Sequence, residues 1–438
     1  MFKTLMNAFK IEDLRKKLIY TFMMLIVLRI GSQLPVPGVN RDYFAAWFAA
    51  QNSGAFNFFD AFTGGSFSSM SLFALGVNPY ITSSIIVQLL TIAIPALEEM
   101  QKDGEDGRKK LQKITRYVTI VLALIEAVAM TIGFGNKGLL QEVNFINGLS
   151  VVAALVAGSC FIMWIGERIT DNGIGNGISI VLLINIVSRM PDDFVRLYQQ
   201  FMQGKPVLTE VISAVIILAV VLLTIVLVIF LQDGVRKIPV QYAKKMQGRK
   251  MVGGQSTHIP LKVNTAGVIP VIFASSLMSL PGMVVMLMGK SAGDGVGGFI
   301  LNSLSQQNWC SLKNPGYTVG LLVYILLVVF FAYFYTSITF NPLEIANNMK
   351  RQGGFVPGIR PGKPTSDYLS KILNYIIFIG AIGLIIVAVI PIFFNGMFGA
   401  SVSFGGTSLI IVVGVVLETI KQMEAQLVNR HYKGFLND

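Results

Sequence analysis

The sequence predicts an all-α polytopic membrane protein with ten transmembrane helices, and three observations support that prediction. Of the 438 residues, 53% are hydrophobic and 13% are charged, whereas about a quarter of a typical soluble domain is charged. Mean hydropathy is +0.65, and the apolar residues fall in runs long enough to cross about 30 Å of hydrocarbon. The two cysteines are too few for a disulfide framework. This composition excludes a soluble enzyme, a disordered chain and a disulfide-stapled scaffold.

Ten apolar runs are candidates for transmembrane helices. The fifth run is short and interrupted by glycine, but omitting it would place strongly basic loops on both sides of the membrane. The runs cover residues 18–34, 72–94, 117–134, 149–165, 174–187, 211–231, 266–288, 319–340, 372–394 and 404–420. The first run has basic residues before it and no small-x-small cleavage site after it, which predicts an anchor rather than a removed signal peptide.

The basic residues indicate the orientation of these spans. One side of the predicted membrane holds 27 of the 35 Lys and Arg residues, the other side holds 7, and Arg29 lies within the first span. Cytoplasmic loops of membrane proteins carry an excess of Lys and Arg. Both termini are therefore expected in the cytoplasm.

Ten spans divide into two halves of five, and an odd number of spans per half puts the halves in opposite orientations. We predict an N-terminal half over 1–190, a connecting loop over 191–210 and a C-terminal half over 211–438. Inverted halves of this kind often enclose a central path. Topology alone supports this repeat, because the residues of the two halves show no clear similarity.

Residues 57–70 are too polar to face lipid and too short to form a further span. Phenylalanines alternate there with small polar residues, and Gly64-Gly65 interrupts the segment. Irregular backbone at membrane depth is tolerated where protein or a watery cavity receives it. We therefore predict a re-entrant half-helix over 57–70 that enters from the outer side, with an ordinary outer loop as the alternative.

Ionisable residues are rare in the predicted spans, chiefly Arg29, Glu126 and Glu418. Ion-coupled transporters usually carry several such residues as relay or coordination sites, so this scarcity disfavours a transporter. Glu126 has two interpretations that the sequence leaves open: a functional polar contact with another helix, or a structural carboxylate satisfied by a neighbouring hydroxyl.

Catalytic chemistry within the membrane has no support in the sequence. The only histidines, His258 and His431, lie outside the apolar runs, so neither a Ser-His dyad nor an HExxH metal site can form there. We expect no enzyme activity, no cofactor and no metal. A partner must supply nucleotide energy if the protein uses it.

Two predicted cytoplasmic loops, 232–263 and 341–371, are longer and more basic than orientation requires. The second contains Pro357, Gly358, Pro361 and Gly362, which predict a fixed turn that holds Arg360 outward. Setting the topology needs only a few charges near the membrane. We favour docking of an acidic partner, either RNA phosphate or an anionic protein surface.

Six stretches of the chain resemble the signature motifs of the SecY family, which comprises the large subunits of protein-conducting channels. They occur in order from the first span to the tenth, so the resemblance covers nearly the whole chain. The stretches are 29–38 (RIGSQLPVPG), 75–81 (LGVNPYI), 173–179 (GIGNGIS), 255–264 (QSTHIPLKVN), 355–362 (FVPGIRPG) and 404–408 (FGGTS).

The resemblance implies a bacterial inner-membrane channel whose two halves open like a clamshell. SecE is expected to brace the hinge side, and SecG to lie at the periphery. The half-helix over 57–70 then corresponds to the family's plug, which closes the outer funnel. The plug residues are Phe58, Phe59, Phe62, Gly64, Gly65 and Phe67.

The resemblance also implies a pore ring of branched apolar side chains at mid-membrane. Its expected members are Val77, Ile81, Leu182, Ile272 and Ile411, with Ile85 and Ile178 as adjacent candidates. A narrow apolar ring binds no ion and excludes water, yet it deforms around a passing chain. Without the family, each of these residues would be interpreted as ordinary packing.

Further implied sites are a lateral gate and a cytoplasmic docking surface. Thr82, Glu126 and Asn264 match the gate's polar cluster, where each interhelical hydrogen bond is worth about 1 kcal/mol. Arg249, Lys250 and Arg360 match contacts for the ribosome, including its RNA, and for the SecA ATPase, and Arg360 is the residue expected to couple to SecA.

We therefore predict a passive, gated channel, driven by SecA or the translating ribosome. It passes secretory polypeptides with signal sequences outward and releases transmembrane segments into membrane lipid. An inverted-repeat transporter would instead show saturable solute flux coupled to an ion. An insertase or scaffold without a continuous pore would show unchanged ion leakage after removal of residues 57–70.

Overall fold

The computed structural model describes residues 9–50, 60, 62–135, 140, 144–203, 206–242, 245–247, 250–252, 256–287, 296–310, 315–398 and 406–434. The chain is a bundle of helices with a small sheet on one end. The helices of the N-terminal half are α1 Glu12–Gly31, α2 Arg41–Ala50, α3 Asn78–Ala93, α4 Pro95–Lys102, α5 Gly104–Phe134, α6 Phe145–Asn172 and α7 Gly177–Phe201. Those of the C-terminal half are α8 Val207–Asp233, α9 Ile269–Leu287, α10 Val296–Leu304, α11 Val319–Thr339, α12 Pro342–Arg351, α13 Lys363–Phe398 and α14 Gly406–Gly434.

Every predicted transmembrane run lies largely within one of these helices. By length and composition, five helical segments in the described part of the chain can each cross a membrane alone. A sixth is added if α3 and α4, which meet at 107°, count as one span. The remaining predicted spans correspond to α1, α7, α9 and α14, which are shorter in their apolar part or carry charge at their ends. The protein is a multi-pass membrane protein.

The connection between the halves differs from the predicted loop over 191–210. Helix α7 continues through Pro191 to Phe201, because Asp193 and Leu197 extend its buried face at helical spacing. Helix α8 begins at Val207. The connection is therefore reduced to residues 202–206, and it follows a rigid helix.

The re-entrant segment also differs from the predicted half-helix. Residues 60, 62 and 63 are helical, whereas residues 64–70 form consecutive turns. The helix ends there because Gly64 and Gly65 adopt φ of +67° and +83°, values that residues with a Cβ atom disfavour.

A three-stranded antiparallel sheet adds to the predicted all-α architecture. Its order is β4-β1-β5, formed by β1 Val235–Tyr242, β4 Ser256–Lys262 and β5 Gly354–Phe355, with Val235 opposite Lys262 and Gln241 opposite Phe355. A two-stranded hairpin, β2 Lys245–Gln247 with β3 Lys250–Val252, extends from it. Ile238 and Val240 alternate with exposed neighbours along β1, so the sheet buries one face against α12 and α13.

Within each half, helices pack mostly against their neighbours in sequence. Among the described residues, the two halves contact each other chiefly where α7 packs against α14 and where α3 and α5 pack against α9. These two contacts enclose the central hydrophobic cluster described below.

Candidate functional site

The predicted pore ring lies in one hydrophobic cluster between the two halves. Val77, Ile81, Leu182, Ile272 and Ile411 are all buried and belong to this central cluster. The last two come from α9 and α14 of the C-terminal half, and the others from the N-terminal half. Ile85 is buried in the same cluster, and Ile178 packs against it. The helices therefore bring together residues that are distant in sequence, and a lining role for these residues stays a prediction.

The plug segment reaches this cluster through Phe62, which is buried within it. The backbone oxygen of Phe62 accepts a hydrogen bond of 3.0 Å from Nδ2 of Asn185 on α7. Phe67 lies in a second cluster, where its ring packs edge-on against Phe44 with centroids 5.5 Å apart. Phe58 and Phe59 lie outside the described residues.

The two glycines of the plug segment allow a close approach to neighbouring helices. A Cβ atom at Gly64 would lie 3.0 Å from Arg29 Nη1, from the Asn185 backbone and from Ser188 Oγ. At Gly65 it would lie 3.4 Å from Arg189 Nη1. Glycine is required at Gly64 both for its backbone conformation and for this packing.

Sequence reasoning missed the ion pair that holds this segment. Asp60 is fully buried and pairs with Arg189 at the outer part of α7. The other carboxylate oxygen of Asp60 accepts a hydrogen bond of 2.8 Å from the Ser68 backbone N–H. A signal was present in the sequence, since Asp60 is the only acidic residue of the half-helix and Arg189 directly follows the fifth apolar run.

The residues of the predicted gate cluster lie along the contact of α3 and α5 with α9. Glu126 on α5 and Asn264, which precedes α9, are buried, and Thr82 on α3 is half-buried. Oε2 of Glu126 and Nδ2 of Asn264 have no hydrogen-bond partner among the described residues. The interhelical hydrogen bonds expected within this cluster are therefore absent from the described part of the chain.

Ion pairs at the predicted cytoplasmic ends join helices within each half. Arg116 on α5 contacts Glu167 on α6 at 2.6 Å, and Gln112 bonds the same carboxylate at 3.3 Å. Lys421 on α14 contacts Asp233 of α8 at 2.6 Å. Each pair joins two helices of the same half.

The cytoplasmic turn presents Arg360 to solvent, in agreement with the expected outward orientation. Gly358 and Gly362 on either side have φ of +82° and +104°, and the Arg360 backbone oxygen accepts a bond of 2.8 Å from Thr365 Oγ1. The turn is therefore rigid. Lys250 lies in β3, whereas Arg249 lies outside the described residues. No three His, Cys, Asp or Glu side chains among the described residues are arranged to hold a metal ion.

Comparison with known proteins adds to this geometry. The SecY family model matches residues 71–420. The protein translocase subunit SecY of Halalkalibacterium halodurans is 45% identical over the full length of both chains, and that of Bacillus subtilis (strain 168) is 43% identical, also over the full length of both. A solved structure described as a protein-conducting channel has a TM-score of 0.64 at 20% identity, covering 94% of this chain and 93% of that chain.

A second structure has a similar fold. Sec61 in the canine ribosome-channel complex from the endoplasmic reticulum has a TM-score of 0.60 at 20% identity, covering 94% of this chain and 93% of that chain. At this identity the structures support the fold, while the full-length relatives and the family model establish the family. The chain belongs to the SecY family.

Proposed function

We infer that this chain is the channel-forming subunit of a protein translocase, which conducts unfolded polypeptides across a membrane. One observation carries the inference. Apolar residues from both halves and Phe62 of the plug segment belong to one buried cluster. An apolar constriction excludes water and ions while it is narrow, and branched side chains yield to a passing chain. The chain itself supplies no catalytic group and needs no cofactor in this role.

The contact of α3 and α5 with α9 supports a lateral opening in the same channel. Glu126 on α5 and Asn264, which precedes α9, are buried, and each has a polar atom without a hydrogen-bond partner among the described residues. A signal sequence has an apolar stretch of about 7 to 15 residues, which enters lipid when these helices part. The N-terminal half over 1–190 and the C-terminal half over 211–438 would move as the two bodies.

The expected partners follow from the cytoplasmic surface and from the relatives. Arg249, Lys250 and Arg360 are proposed contacts for the SecA ATPase and for ribosomal RNA, because cationic side chains bind phosphate or acidic protein surfaces. Arg360 is exposed on its turn. SecE and SecG are proposed as the membrane subunits of the complex. The 27 basic residues on one side support cytoplasmic termini in a bacterial plasma membrane.

Site-specific crosslinking tests the channel directly. A photocrosslinking residue replaces Ile81 in the full chain, reconstituted with SecE and SecA, and a secretory precursor is trapped midway. We expect an ATP-dependent adduct with the precursor at this position. Phe230 on α8, which is 74% exposed on the outside of the bundle, is the matched control and is expected to give none. Translocation with adducts at Phe230 and none at Ile81 would overturn the proposed path.

A further inference from the structure

The plug segment lies along a single face of α7. Leu182, Asn185 and Arg189 are spaced three and four residues apart on that helix, so their side chains lie on one face. Leu182 belongs to the central cluster, Asn185 bonds the Phe62 backbone oxygen, and Arg189 pairs with Asp60. The face therefore holds the plug segment at two points, Asn185 and Arg189, about one and two turns of the helix beyond Leu182 of the central cluster.

The Asp60–Arg189 pair is the most buried ion pair in the described part of the chain. Asp60 is 0% exposed and the Arg189 side chain 13% exposed. The same guanidinium has a weaker alternative partner, since Nη1 lies 3.9 Å from the carboxylate of Asp192, whose side chain is 65% exposed. An exposed pair of this kind contributes little, whereas loss of one partner of a buried pair leaves an uncompensated charge.

We propose that this pair is an electrostatic latch that holds the plug segment in the closed channel, with Arg189 as the positioning residue. This inference rests on the proposed function. The plug segment cannot leave the constriction without separating Asp60 from Arg189. The latch thereby sets how strongly a signal sequence must bind before the channel opens, so it acts on substrate selection as well as on sealing.

Arg189 lies near the connection between the two halves. Helix α7 continues beyond Arg189 to Phe201 and leads into the short connection 202–206. Asp60 belongs to the segment before α3. Both partners therefore lie in the N-terminal half, and the pair holds the plug segment to α7 of that half.

Potassium efflux and translocation test the latch with the full chain, reconstituted with its translocase subunits in potassium-loaded liposomes. The variants are Asp60→Asn, Arg189→Gln and the double variant. The matched control is Asp192→Asn, which removes the exposed carboxylate that lies near the same Arg189 guanidinium. We expect each single variant to raise idle efflux at least about tenfold, because a lone buried charge remains. Both should also translocate a precursor with a shortened signal sequence. The control should stay within about twofold of the unmodified protein, as an exposed pair predicts.

The double variant separates a latch from a general loss of structure. Removing both charges leaves no unpaired ion, so its efflux should be lower than the product of the two single effects. Multiplicative single effects, or single variants indistinguishable from Asp192→Asn, would overturn the latch. If a neutral variant accumulates poorly, Arg189→Lys keeps the positive charge but lacks the planar guanidinium group, and it should raise efflux about threefold. Unchanged efflux in that variant would also overturn the proposal.

Two readouts keep this proposal apart from the proposed function. Idle efflux reports on the latch alone. Translocation of a precursor with an intact signal sequence by the unmodified protein reports on the channel function. Each can therefore fail while the other holds.

Discussion

In the proposed channel, the plug contact and the gate contact differ in their polar chemistry. Asp60 Oδ1 and the Phe62 backbone oxygen accept hydrogen bonds. Asp60 Oδ2 pairs with Arg189, although the Nε of Arg189 has no hydrogen-bond partner among the described residues. In the gate, Glu126 and Asn264 each bury a polar atom that has no partner among the described residues. A satisfied buried group must lose its bonds to open, whereas an unsatisfied one costs about 1–3 kcal/mol while it stays closed. The difference suggests a plug that is held firmly and a gate that parts readily.

Removal of the Asn185 side-chain donor is the strongest way to break the plug contact without touching its ion pair. Asn185→Leu leaves the Phe62 carbonyl without its donor, which destabilises the closed plug by about 1–3 kcal/mol. We expect idle potassium efflux from liposomes to rise by about 5- to 150-fold, since each 1.4 kcal/mol is about a factor of ten.

Ser188→Ala is the control for this variant. Among the described residues its hydroxyl bonds the Asn185 backbone oxygen of its own helix, at 2.7 Å, so efflux should change little. If the two variants leak equally, the Asn185 bond does not hold the plug.

Crowding at the plug glycine gives a smaller expected effect. Gly64→Ala forces an L-residue into the left-handed region at a cost of about 1–2 kcal/mol, and its methyl group meets three atoms at 3.0 Å. Gly38→Ala carries a similar backbone cost at φ +79° with nothing within 4 Å. We expect both variants to lower thermal stability, and only Gly64→Ala to raise idle efflux. Equal efflux from the two would indicate that the plug tolerates the methyl group.

The smallest expected effect concerns the gate contact, through the side chain of Asn264. Asn264→Leu removes an unpartnered buried amide and should stabilise the closed gate by about 1 kcal/mol. Precursors with weakly apolar signal sequences should then translocate several-fold less efficiently, and those with strongly apolar signals should be unaffected. Translocation yields for a graded signal series measure this threshold.

Thr265→Val is the neighbouring control for the gate variant, because Thr265 Oγ1 bonds only the Lys262 backbone oxygen, at 2.8 Å. An identical response of weak and strong signals to Asn264→Leu would contradict a role of Asn264 in the threshold.

The spans and the clustering of the candidate ring were accessible from the sequence. A bilayer requires about twenty apolar residues for each helical span, so the runs appear directly in the composition, and each one lies mostly in a helix. Residues matched through the family motifs, such as Ile81 and Ile411, lie together in the central cluster. The glycines at 64 and 65 marked an interruption, although they end the helical part of the segment earlier than predicted.

The small sheet was not predicted, because its strands pair across long stretches of chain. β1 contacts β4 across a basic hairpin, and β5 joins from beyond α12. The alternation of Ile238 and Val240 was a local signal for a strand. Its partners depended on how α12 and α13 present their buried faces.

The sequence by itself determined the membrane class and the number of apolar runs, because hydrocarbon thickness acts on local segments. The distribution of charge predicts their orientation. Only the tertiary structure decided which polar groups meet. Asp60 and Arg189 are far apart in the chain. No local sequence pattern specifies that one face of α7 places Asn185 and Arg189 against the plug segment. Buried polar groups are stabilised by individual partners at hydrogen-bond distance, and the packing of the helices sets those distances.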